Sequence, residues 1–147
     1  MDLIKPSAVT SELLSNSQSN KPLIICTDAP RVQKKILEAG YQDVRINAAL
    51  AKALLEYEQA DRPKCVEKEL KKLLNYHISI FIINFEMLFD PRYEIDVLKV
   101  FCEKARNIGV AVKWPGKYND GKLTYMQPED PDYHEFDCNS YQIRIVQ

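Results

Sequence analysis

Two short stretches carry residue types that phosphate and magnesium chemistry would use. The first is Cys26-Thr27-Asp28-Ala29-Pro30-Arg31-Val32-Gln33, which follows an apolar run and opens a helical pattern. A phosphate-binding loop at such a place uses glycines, so that successive backbone N–H groups wrap the phosphates. It also needs a lysine for the outer phosphates and a hydroxyl for Mg²⁺. This stretch has no glycine, its proline removes one donor, and Lys34 and Lys35 come too late, inside the helix. A typical phosphate cradle is therefore excluded. A helix N-terminus that attracts an anion weakly and a plain strand-to-helix turn both stay open, with the turn preferred.

The second stretch is Asn84-Phe85-Glu86-Met87-Leu88-Phe89-Asp90. An Asp at the end of four apolar residues would hold hydrated Mg²⁺, often with a nearby Glu to orient water. Ile80 to Ile83 supply the apolar run, yet Asn84 stands where the carboxylate would be, and Glu86 is the surviving acid. Glu86 is expected to pair with a basic side chain or to cap the next helix. A third stretch, Lys113-Trp114-Pro115-Gly116-Lys117-Tyr118 followed by Lys122 and Tyr125, interleaves basic and aromatic residues as a nucleic-acid stacking surface would. Because Glu129, Asp130, Asp132, Glu135 and Asp137 follow it, a protein contact or an ordinary hairpin is the preferred reading.

Other chemistries lack their residues. His77 and His134 have no local acid–base partner pattern, and no GxSxG, HExxH or EF-hand spacing occurs. Cys26, Cys65, Cys102 and Cys138 form no CxxC pair, so they are expected to be reduced, mostly buried and to act as small apolar residues. With 20 basic and 21 acidic side chains, the chain lacks the basic excess of a sequence-independent nucleic-acid binder. A local basic face is still allowed. Met1 to Thr10 does not read as a secretory signal, and no apolar stretch approaches the ~20 residues of a membrane span. Cytoplasm is the expectation.

The elements that must position these residues alternate. Strands are expected at Pro22 to Cys26, Val44 to Ile46, Ile78 to Phe85 and Gly109 to Trp114. Helices are expected at Arg31 to Ala39, ended by Gly40, then at Ala48 to Gln59 with Asn47 as cap, Lys64 to Tyr76 and Tyr93 to Arg106. Asn119-Asp120-Gly121 signals a tight turn before Lys122 to Tyr125, and an acidic loop, Glu129 to Asp137, leads to a last strand, Tyr141 to Val146. Residues 1–20 read as an arm, with a short helix Ser7 to Leu14 and a polar linker Asn16 to Asn20, either mobile or packed on a neighbour. Residues 21–147 read as one α/β domain. Strands separated by helices of roughly 10–15 residues imply a three-layer fold around a mostly parallel sheet of about five to six strands. A late hairpin or edge strand is expected at the C-terminal side.

Several short pieces, in order, carry a resemblance: Arg45 to Leu55, Asn84 to Pro91, the helix end Ala105-Arg106-Asn107, Trp114-Pro115-Gly116, Leu123-Thr124-Tyr125 and Pro128 to Tyr133. Together, over about Pro22 to Tyr133, they resemble BrxF, a family of small P-loop-containing proteins in BREX bacteriophage-defence systems. The resemblance implies a P-loop NTPase-like fold with a Walker A loop, and here the chain departs from it. Cys26 and Arg31 fall where glycines would be, Val32 and Gln33 take the lysine and hydroxyl positions, and Ile83 or Asn84 replaces the Walker B acid. Glu86 and Arg106 still match. Thr27, Asp28, Arg31, Lys34, Asn84, Glu86 and Arg106 are thus the positions of a degenerate nucleotide site.

The expectation is a non-catalytic, P-loop-like subunit of a BREX-type complex that works by binding proteins. The resemblance implies a large ATPase, a methyltransferase or a phosphatase-like protein as partners, with DNA reached only through them. Phe89, Tyr93, Trp114 and Tyr118 are the candidate interface anchors. No cofactor or metal is expected, and homo-oligomerisation stays open. Two alternatives stand beside this: a nucleotide-binding ATPase using Lys34 or Lys35 with Glu86, and a DNA adaptor using Lys113, Lys117 and Lys122.

Overall fold

The computed structural model describes residues 1–15 and 20–147, so most of the expected linker Asn16 to Asn20 lies outside the described residues. Five segments form the parallel strands of one sheet: β2 (Leu23–Ile25), β3 (Gln42–Arg45), β4 (Ile80–Ile83), β5 (Val110–Lys113) and β9 (Arg144–Val146). A sixth, β1 (Asp2–Ile4), lies at the edge, and the order is β1-β9-β2-β5-β4-β3. Every pair in this sheet is parallel. The connections supply five helices: α1 (Ser11–Ser15), α2 (Pro30–Glu38), α3 (Asn47–Leu54), α4 (Arg62–Leu73) and α5 (Val97–Lys104).

Strand side chains alternate between faces, and the sheet sorts its residues accordingly. Ile24, Ile80, Ile82, Val110, Val112 and Ile145 face one core with Leu50, Leu54, Val66, Leu70 and Phe101 of α3, α4 and α5. Their neighbours Leu23, Ile25, Phe81, Ile83, Ala111 and Val146 face the other, against Leu14, Val32 and Ile36 of α1 and α2. Helices cover both faces, which explains why β4 reads as an unbroken apolar run: all four of its residues are buried. This is the three-layer α/β arrangement with a six-stranded parallel sheet.

The remaining strands, β6 (Lys117–Asn119), β7 (Lys122–Tyr125) and β8 (His134–Asp137), form a separate antiparallel sheet in the order β6-β7-β8. The tight turn is where the sequence places it. Asp120 and Gly121 both have positive φ, 48° and 83°, which is the two-residue geometry that Asp-Gly favours in a hairpin. Gly116 meets a different demand, since a Cβ there would overlap the backbone carbonyl of Thr124. Gly40, at φ 88°, closes α2.

Two sequence expectations change. The N-terminal segment joins the main sheet: β1 pairs with β9, Val9 and Leu14 are buried, and Arg31 Nη1 donates to the carbonyls of Pro6 (2.7 Å) and Val9 (3.1 Å). The second half of the expected acidic loop is β8, whose Phe136 turns inward while its acids face solvent. The last strand, β9, lies between β1 and β2. No helix among the described residues is long and apolar enough to cross a membrane.

Candidate functional site

Open parallel sheets take ligands beyond the carboxyl ends of their strands, where consecutive connections leave in opposite directions. Here β2 leads through α2 to β3 on one side, and β5 leads through the small sheet to β9 on the other. The crevice between β2 and β5 is the place to look. It is a cavity of about 60 Å³ bordered by Thr27, Asp28, Ala29, Pro30, Gln33 and Lys113. That is room for a water or two, each of which takes up about 30 Å³, and not for a chain of phosphates.

Part of the backbone at this turn is committed to the protein itself. Cys26 N–H donates to Val146 O (2.8 Å), Ala29 N–H donates to Thr27 Oγ1 (3.2 Å), and Pro30 has no N–H to give. Burial pushes the Cys26 thiol up to about 12, with Cys138 adding to the shift, so this thiol stays protonated at neutral pH. Arg31 points away to clamp the N-terminal segment. Lys34, strongly exposed, reaches Glu38 at 4.0 Å on the outer side of α2, and Lys35 reaches the same carboxylate at 3.9 Å. Neither lysine is among the residues bordering the crevice; Lys113, from the end of β5, borders it, as does Asp28.

Beyond β4, Asn84 adopts φ 52°, a left-handed conformation that asparagine tolerates better than most side chains. Its carbonyl accepts the N–H of Asn47 (2.7 Å). The Asn47 side chain then spans the gap between β3 and β4: Nδ2 donates to Glu86 Oε2 (2.7 Å), and Oδ1 accepts the N–H of Met87 (3.1 Å). Asn47 therefore does not cap α3 with its side chain, as its position suggests it would. Glu86 meets an amide, in place of the basic side chain or helix cap expected of it. The three bonds tie the loop after β4 to the start of α3. Glu86 also acts on Tyr125, whose hydroxyl is pushed up first by burial and then by the charges of Glu86 and Asp132.

The loop after β4 continues as a 3-10 turn, Glu86–Phe89, that sends Leu88 and Phe89 inward. Phe89 stacks on Tyr125 (ring centroids 4.3 Å) and meets Trp114 edge-on (5.5 Å), while Trp114 also meets Phe136 edge-on (5.6 Å). Trp114 Nε1 donates to the Thr124 carbonyl (3.0 Å). Two of the candidate interface anchors are therefore corrected. Phe89 is 0% exposed and Trp114 4%, because both fill the joint between the two sheets. Tyr93 and Tyr118 are half-buried: the Arg92 guanidinium lies 5.8 Å from the Tyr93 ring centre, and the Tyr118 hydroxyl accepts Gly121 N–H (3.2 Å).

Arg106, the other residue retained in the resemblance, is exposed just past the end of α5. It borders a cavity with Tyr41, Ser79 and Gly109, residues next to the amino ends of β3, β4 and β5. Arg106 and Glu86 thus sit at opposite ends of the sheet and form no common site. Thr27 and Asp28 share the crevice, and Asn84 and Glu86 share the loop after β4. Sequence reasoning missed the bridging role of Asn47 and the place of Arg144, which reads simply as a polar residue in a strand.

The crevice after β2 measures about 60 Å³, and the acid-bearing loop after β4 is bonded to Asn47. Among the described residues, no group of three or more His, Cys, Asp or Glu side chains is placed to hold a metal ion. Compared with protein-family models, curated proteins and solved structures, the chain matches none of them.

Proposed function

We propose that this chain is a protein-binding subunit of a BREX-type bacteriophage-defence assembly, working in the cytoplasm on a P-loop-like fold without phosphate-binding chemistry. One observation supports its non-catalytic character above the others: the turn between β2 and α2 has no glycine, lacks one N–H at Pro30 and leaves a crevice of about 60 Å³. The assembly role rests on the resemblance carried by Asn84 to Pro91, Trp114-Pro115-Gly116 and Pro128 to Tyr133. A large ATPase, a methyltransferase and a phosphatase-like protein of the same system are the proposed partners, and DNA is reached through them. With Phe89 and Trp114 buried, contact falls to Tyr93 under Arg92, to Tyr118 and to the acidic segment beside β8.

A tagged pull-down from the native host, with partners identified by mass spectrometry, tests this reading. Recovery of BREX proteins, and their loss on Tyr93→Asp or Tyr118→Asp in a chain that still folds, is the expected result. Purification of the chain alone, or with proteins unrelated to defence, contradicts it.

A further inference from the structure

At the amino ends of the strands lies a cavity of about 240 Å³ with a different chemistry. Lys21, Arg106 and Arg144 border it, and among the described residues no Asp or Glu does. Tyr41 and Ser79 add hydroxyls, and Tyr41 donates to the Leu14 carbonyl (2.9 Å). Gly109 lets both hydroxyls pack against its backbone. A Cβ at that position would stand 2.5 Å from Ser79 Oγ and 2.8 Å from the Tyr41 hydroxyl.

Arg144 is the informative residue. One end of its guanidinium donates to the Lys21 carbonyl (2.9 Å), while Nε is buried with no hydrogen-bond partner. Buried donors are nearly always paired, so an orphan on a cation marks a place where an acceptor is missing. Burial also holds the guanidinium below its ordinary pKa, against the opposing influence of Tyr41 and Asp2. Asp2 is engaged by Lys21 at 3.4 Å, and Arg106 makes no ion pair among the described residues. An arginine fork suits a tetrahedral oxyanion better than any neutral acceptor. A second cavity of about 700 Å³ shares Lys21 and Arg106 and is bordered further out by Lys99, Asp96 and Glu103, with space there for the organic part of a phosphate ester.

We propose that the cavity between Arg144, Arg106 and Lys21 binds the phosphate group of a small phosphorylated molecule. This site stands apart from the defence-assembly reading and does not depend on it.

Titration of the intact chain with inorganic phosphate, against acetate at matched ionic strength, tests the site by melting temperature and by amide NMR. Phosphate is expected to raise the melting temperature saturably, beyond acetate, and to shift the amides of Asn107, Gly109 and Arg144. Arg106→Gln changes an exposed side chain and leaves folding intact; it should weaken phosphate about tenfold, the loss of one charge-assisted contact. Arg144→Gln should weaken it further where that variant folds. Equal effects of acetate and phosphate, no saturable shift, or unchanged affinity in Arg106→Gln would overturn the proposal.

Discussion

At the carboxyl ends of the strands the chain fills its own space. Pro30 and Thr27 close the turn after β2, Asn47 ties up Glu86, and Phe89 and Trp114 pack under the small antiparallel sheet. At the amino ends it does the reverse, leaving a cavity edged by Lys21, Arg106 and Arg144, with one guanidinium nitrogen unpartnered. The first end is where parallel sheets usually place ligands. The difference teaches that a fold's customary site can be turned into packing, and that the chemistry then has to be sought where charge is left unsatisfied.

The comparison breaks most visibly at the aromatic joint. Phe89→Ala removes a fully buried ring and should destabilise the protein by about 3–5 kcal/mol, measured by urea unfolding. A loss under about 1 kcal/mol would place Phe89 at the surface and return it to the interface candidates. Trp114→Phe keeps most of the packing but leaves the Thr124 carbonyl without its indole donor, so about 1–3 kcal/mol is expected in the same assay. Asn47→Ala frees both Glu86 and the Met87 N–H, half-buried groups that water partly reaches. About 1 kcal/mol is expected there, with faster hydrogen exchange at Met87.

The smallest effect belongs to a flank away from both ends. Tyr57 donates to Glu69 Oε1 (2.6 Å) and Lys72 adds a bond at 3.2 Å, so the Glu69 carboxyl is held below its ordinary value of 4.5. A depressed folded-state pKa contributes stability that is present above the unfolded value and is lost as pH falls through the folded one. The stability difference between wild type and Glu69→Gln should therefore hold from pH 7 down to about 4.5 and shrink below it. A difference that grew with acid would mean that the carboxylate is not held by Tyr57 and Lys72.

The sequence reveals the main sheet well where burial on both faces gives continuous apolar runs, as in Leu23–Ile25 and Ile80–Ile83, and where Asp120-Gly121 demands positive φ. It hides elements whose stability comes from afar. β1 is three residues with an exposed charge and an exposed Leu3, and it exists because β9, from the other end of the chain, pairs with it. β8 hides among acids because its solvent face is charged and Phe136 alone marks its inner face. Phe89 reads as a loop-end aromatic because the sheet that buries it arrives later in the chain. The lack of glycines in the loop after β2 was legible from residue types alone. Arg144 was not, since nothing local says that the nitrogen next to its side-chain stem has no partner.

The central claim is that the carboxyl end is packing and not a nucleotide site, and a titration with Mg-ATP followed by backbone amide spectra tests it most directly. The account predicts no saturable shift at Thr27, Asp28, Gln33, Asn84 or Glu86. Saturable movement of those amides at millimolar Mg-ATP would contradict it and restore nucleotide binding to the crevice between β2 and β5.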